Sequence, residues 1–153
     1  MRPRYFKDSV EADLRDRMVF VGGPRQVGKT TFALSLLGPG QDESSPAYLN
    51  WDVPADREEI IAGRLPSGQV RIILDEIHKY AQWRNLIKGL FDKNKSSVSF
   101  VVTGSARLDH YRKGGDSLQG RYRYYRLHQL DELRLRLADY FSFGYLFVFF
   151  QQK

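Results

Sequence analysis

Short apolar runs alternate with segments of helical spacing along most of the chain. Met18-Val19-Phe20-Val21, Ala47-Tyr48-Leu49-Asn50, Val70-Arg71-Ile72-Ile73-Leu74 and Val98-Ser99-Phe100-Val101-Val102 read as strands buried in a sheet. Arg121 to Leu127 reads as a fifth, less apolar strand. Between them the pattern predicts an N-terminal helix over 8–16 carrying Val10 and Leu14, and a second from Lys29 to Leu37 closed by Gly38-Pro39-Gly40. A third has Pro54 near its first turn, with Asp56, Glu58 and Glu59 by its positive end, and stops at Gly63. A fourth carries Trp83, Leu86, Ile87, Leu90 and Phe91. Strands and helices in alternation predict an α/β fold with a central, mainly parallel five-stranded sheet and helices on both faces, three layers in all. Further on, Leu130, Leu133, Leu137 and Phe141 share one side of a predicted helix, which leads into an aromatic tail.

Composition narrows the function classes. At 153 residues with 42% hydrophobic content, the chain suits one domain with a real core. It has no cysteine, which removes disulfides, thiolate metal sites and cysteine nucleophiles. The first residues are basic but lack the apolar stretch of a secretory signal, so a cytoplasmic location is expected. The run from Phe141 to Phe150 is half the roughly 20 residues that a membrane-crossing helix needs. A net charge of +6 favours polyanions without naming one.

The turn between the first strand and the second helix carries the chemistry. Gly23-Pro24-Arg25-Gln26-Val27-Gly28-Lys29-Thr30 has the G-x-x-x-x-G-K-T spacing of a phosphate-binding P-loop, in the strand-then-helix context that the motif requires. The glycines let successive backbone N–H groups face phosphate oxygens, Lys29 reaches the β- and γ-phosphates, and Thr30 offers a hydroxyl to Mg2+. Thr31 completes the nucleotide-binding stretch. Asp75-Glu76 follows the Ile72-Ile73-Leu74 strand, at the sheet edge where such folds bind ligands. That placement assigns Asp75 to the metal and Glu76 to the attacking water. Thr103-Gly104-Ser105 ends the next strand, so Thr103 and Ser105 are candidate sensors of the γ-phosphate. A separate strand for Asp75-Glu76, with a polar residue on another, points to the AAA+/RecA-like division, in which an extra strand separates the P-loop strand from the acidic one. The absence of an Asn-Lys-x-Asp run favours ATP over GTP.

The stretches VFVGGPRQVGKTTF, YLNWD, RIILDEIHKYAQWRNLIKGLFD, VVTGSARL and GGDSLQGRYRYYRLH together resemble the prokaryotic AAA-type ATPases whose ATPase domain precedes a C-terminal domain of unknown function. The likeness runs over roughly residues 15 to 130 and implies ATP hydrolysis with Mg2+. It also implies that Asp52 lies near the phosphate end, and that Gly120-Arg121 belongs to the site or to a contact between subunits. On this reading residues 1–130 form the ATPase domain. Residues 131–153 are a remnant of, or lead-in to, a second domain, in a member that is truncated or divergent after about residue 130.

Weaker patterns remain. Asp75-Glu76-Ile77-His78 spells a helicase box, but 153 residues cannot hold the two lobes that such motors use. His78 is expected to be a loop residue. Arg107 and Arg121 are candidate arginine fingers, from this chain or from a neighbouring copy in a homo-oligomer. Arg121-Tyr122-Arg123-Tyr124-Tyr125-Arg126 mixes cations with aromatics as a nucleic-acid surface does, yet neither strand face is purely basic. The functional expectation is Mg2+-dependent ATP hydrolysis that drives or gates a partner. The alternative is a nucleotide-dependent switch with little turnover that contacts nucleic acid or protein.

Overall fold

Odd and even positions along each strand face opposite sides of a sheet, and in the strands that end at Gly22, Asp75 and Thr103 both sets are largely apolar. Such strands need cover on both faces, which is the condition of an all-parallel sheet. The computed structural model describes residues 7–105, 108 and 118–128, and it meets that condition. Helix α1 (Lys7–Asp13) leads into strand β1 (Met18–Gly22), followed by α2 (Lys29–Ser35), β2 (Tyr48–Asn50) and α3 (Pro54–Ala62). Strand β3 (Arg71–Asp75) passes through a short 3-10 turn (Ile77–Lys79) into α4 (Trp83–Asn94), and β4 (Ser99–Thr103) and β5 (Tyr122–Arg126) complete the order. The five strands lie in the order β2-β3-β4-β1-β5, every neighbouring pair parallel. The architecture is the three-layer α/β fold of P-loop nucleotide-binding proteins, and β4 is the strand inserted between β1 and β3.

Burial divides the core as the alternation requires. On one face Met18, Phe20, Ile72, Leu74, Phe100 and Val102 pack with Ile60 of α3 and with Trp83, Ile87, Leu90 and Phe91 of α4. On the other, Val19, Val21, Ile73 and Val101 pack with Val10 of α1 and Phe32 and Ala33 of α2. Each fully buried aliphatic side chain contributes about 2 kcal/mol of transfer free energy.

Among the described residues, the strands and helices differ from the sequence reading at their ends. The N-terminal helix stops at Asp13 rather than residue 16, because its last turn tightens: the Arg15 amide reaches Ala12 and the Asp16 amide reaches Asp13. Helix α2 likewise ends at Ser35, with Leu36 and Leu37 in similar tightened bonds. Val70 is 79% exposed, and the ladder of β3 starts one residue later. Strand β5 is real despite its polar sequence. Tyr122 stacks on Phe20 at 4.4 Å between ring centroids, and buried Tyr125 donates a 2.6 Å hydrogen bond to Asp13. The helix and tail predicted over 130–150, and all of residues 131–153, lie outside the described residues.

One cation ties the far end of the sheet together. Arg71 forms a two-pronged pair with Glu11 of α1 (2.7 and 3.0 Å), donates to the Leu36 carbonyl at the end of α2, and reaches Ser99 on β4 at 3.3 Å. It thereby satisfies a helix-end carbonyl that has no partner within its own helix. No helix among the described residues is long and apolar enough to cross a membrane.

Candidate nucleotide site

Because the strands are parallel, the segments leaving β1, β3 and β4 emerge at one edge of the sheet. The P-loop follows β1 directly. Gly23 has φ 148°, and a Cβ there would meet the Leu127 carbonyl oxygen at 2.4 Å, so any side chain is excluded by both conformation and space. Gln26 (φ 62°) and Gly28 (φ 79°) are also left-handed, which curls the loop back toward the start of α2. Lys29 lies inside this curl and is only 9% exposed. Its ammonium donates to the carbonyls of Pro24 (2.7 Å) and Gly23 (3.2 Å), so the loop satisfies its own buried cation.

Asp75 closes β3 opposite Thr103 of β4 and Asn50 of β2. It is 4% exposed and accepts three hydroxyl hydrogen bonds. Thr30 (2.9 Å) and Tyr48 (2.7 Å) donate to Oδ2, and Thr103 donates to Oδ1. Among the described residues no ammonium, guanidinium or imidazole nitrogen pairs with this carboxylate. A buried carboxylate held by neutral donors beside a threonine hydroxyl is a hard-oxygen donor set, and it fits Mg2+, which takes one or two protein oxygens and keeps the rest as water and phosphate. Among the described residues there is no group of three or more His, Asp or Glu side chains that could hold a metal ion.

Glu76 leaves the strand in a left-handed conformation (φ 58°), its amide donating to the Thr103 carbonyl at 3.2 Å. With Arg25, Gln26, Gly28, Lys29, Thr30 and Thr31 it lines an open hollow of about 400 Å³, a size that suits a small ligand. Its Oε2 is 3.3 Å from the Lys79 ammonium, which also pairs with Asp52. That bond to Asp52, and secondarily the one to Glu76, raises Lys79 above the ordinary lysine value, so it stays a cation at neutral pH.

The two candidate sensors face different groups. Thr103 is turned toward Asp75, and Ser105 lies 3.0 Å from Nε2 of His78. The His78 ring packs over Gly104, where a Cβ would come within 2.6 Å of Nδ1, and its Nε2 is 3.9 Å from Glu76. The loop residue anticipated from sequence thus touches two of the candidate groups. Arg121 is not brought to the hollow. Its carbonyl pairs with the amide of Met18, the first residue of β1, about 13 Å of strand away from the P-loop, and its guanidinium holds Asp92 of α4 at 2.9 Å. Arg107 lies outside the described residues.

Tyr48 belongs to none of the motifs in the sequence. A tyrosine in a fully buried strand needs a hydroxyl partner, which was the available signal. Burial first, and then the bond to Asp75, push its phenol well above the ordinary tyrosine range, so it remains a donor.

A family model described as an AAA domain matches residues 15–132, well over half of the chain. The chain belongs to this AAA domain family. No curated protein matches it. The AAA match takes in the P-loop, the Asp75-Glu76 pair, Thr103-Gly104-Ser105 and all five strands. Membership supports a nucleotide-binding function of the ATPase class for this domain.

Proposed function

We propose that the chain binds ATP as its magnesium complex in the P-loop hollow and hydrolyses it to ADP and phosphate. The observation that carries this reading is the meeting of Thr30 with Asp75 beside the hollow that Lys29 and Glu76 line. Loop N–H groups would receive the phosphates, and Lys29 would exchange the carbonyls of Gly23 and Pro24 for β- and γ-phosphate oxygens. Thr30 and Asp75 would hold Mg2+, which supplies charge neutralisation between the phosphates. Glu76 then orients a water and accepts its proton as the oxygen bonds to the γ-phosphorus and the bond to the β-phosphate oxygen breaks.

The test is Glu76→Gln in the full chain. It is expected to retain ATP binding while phosphate release falls at least 100-fold, the scale of a lost general base. Unchanged turnover in that variant would remove Glu76 from the role.

A second reading, a nucleotide switch with slow turnover, has one observation in its favour: Lys79 already engages the Glu76 carboxylate and is itself held by Asp52. On that reading Lys79→Met releases Glu76 and speeds turnover, whereas slower or unchanged turnover rejects it. The nucleic-acid form of this reading draws less support, because Arg121 and Arg123 approach Asp92 and Asp13 respectively.

A further inference from the structure

We propose that Tyr48 is a positioning residue for the metal-binding carboxylate, its hydroxyl fixing Asp75 in the orientation that receives Mg2+. The proposal rests on the ATP–magnesium reading above and goes beyond it by giving strand β2 a task in the site.

Strand register brings Tyr48 to Asp75. Tyr48 stands opposite Ile73 and Asn50 opposite Asp75, so Tyr48 is two residues short of the carboxylate and on the same face of the sheet. A tyrosine at that offset spans the gap, and its hydroxyl donates to Asp75 Oδ2 at 2.7 Å from a position only 6% exposed. Asn50 supports it from behind: its side-chain nitrogen is 3.4 Å from the Tyr48 oxygen, and its own oxygen accepts the Asp52 amide at 3.0 Å. Asp56 in the first turn of α3 accepts the Asn50 backbone amide at 2.9 Å. The alternating Tyr48, Asn50 and Asp52 thus make one connected row along the end of β2.

The three donors to Asp75 are not equivalent. Thr30 belongs to the P-loop, and its hydroxyl is the group that the metal would take. Thr103 holds the other oxygen, Oδ1. Tyr48 is therefore the donor that keeps Oδ2 oriented once Thr30 has turned away. It sits on a sheet strand, not a loop, and it carries no charge that would compete with a cation. Outer partners of this kind typically affect metal affinity by about 10–100-fold when removed.

The experiment compares Tyr48→Phe with wild type by calorimetric titration of ATP into the full chain, first in EDTA and then over a series of Mg2+ concentrations. Tyr125→Phe is the control, since it loses a phenol–carboxylate bond of similar length that goes to Asp13 and not to Asp75. The expected result is metal-free ATP affinity within about twofold of wild type in both variants, with the Mg2+ concentration for half-maximal tightening raised about 10–100-fold in Tyr48→Phe alone. An unchanged Mg2+ midpoint in Tyr48→Phe, or an equal shift in Tyr125→Phe, overturns the proposal and leaves the nucleotide reading standing. Wild-type affinity that ignores Mg2+ overturns the metal reading itself, and the role of Tyr48 with it.

Discussion

The Thr30 hydroxyl lies 2.9 Å from Asp75 Oδ2, across 45 residues of sequence. Thr30 is fixed by the first turn of α2 and Asp75 by the last residue of β3, so their meeting depends on β4 and the parallel sheet holding those two elements in register. The contact joins the glycine-bearing loop to the acidic end of β3. Replacing Thr30 by Ala removes a hydroxyl on which both Asp75 and the metal would draw. Mg2+-dependent tightening of ATP binding is expected to weaken by about tenfold or more, with metal-free binding little changed. Titration of ATP with and without Mg2+ checks this.

The floor beneath the P-loop is set by Gly22. A Cβ there would come within 1.9 Å of the Tyr124 hydroxyl oxygen and 2.6 Å of Cζ. Gly22→Ala should destabilise the fold by about 1–3 kcal/mol through overpacking. The double variant Gly22→Ala/Tyr124→Leu should recover part of that loss. Urea denaturation midpoints of the two variants decide it, and no recovery would mean that strain in the strand, not Tyr124, sets the cost.

At the opposite end of the sheet, Arg71 joins α1, the end of α2 and β4. Its side chain is 19% exposed, so Arg71→Met is expected to cost about 1–3 kcal/mol, most of it from partners left unsatisfied. ATP affinity should be unaffected because the nucleotide hollow is at the other edge. A fall in chemical stability without a fall in ATP affinity is the signature, measured by denaturation and titration on the same sample.

Two buried phenols give the protein an alkaline limit. Burial leads, with the bonds to Asp75 and Asp13 second, in raising Tyr48 and Tyr125 above their usual value. A folded-state value above the unfolded one means that their contribution is fully present below the unfolded tyrosine value of about 10 and is lost as pH rises beyond it, because only the unfolded chain ionises readily. Stability should therefore decline above pH 10, and the decline should be shallower in Tyr48→Phe/Tyr125→Phe. Denaturation midpoints between pH 8 and 11 test the slope.

What the sequence disclosed follows from how local each signal is. The P-loop, the apolar β3 ending in Asp75, and helix α3 bounded by Pro54 and Gly63 are written in adjacent residues, and each appears within a residue or two of its expected limits. The role of Tyr48 is not local, since it depends on β2 lying beside β3 in a particular register. The contacts of His78 follow from the left-handed turn at Glu76, which nothing in the residue types announces. Arg121 is a related case: a short Gly-Arg pattern does not say which end of a strand it occupies, and here that end faces Asp92, away from the hollow of its own chain. Tyr122 shows the converse, where a polar-looking segment is held in the sheet by stacking on Phe20.

Whether this P-loop binds ATP through Lys29 is decided by calorimetric titration of ATP with Mg2+ into the wild-type chain and into Lys29→Ala. Saturable binding of one nucleotide per chain is expected, weakened about 10–100-fold in the variant by the loss of charge-assisted bonds to phosphate. Equal affinity in the two proteins, or no binding to either, would contradict it.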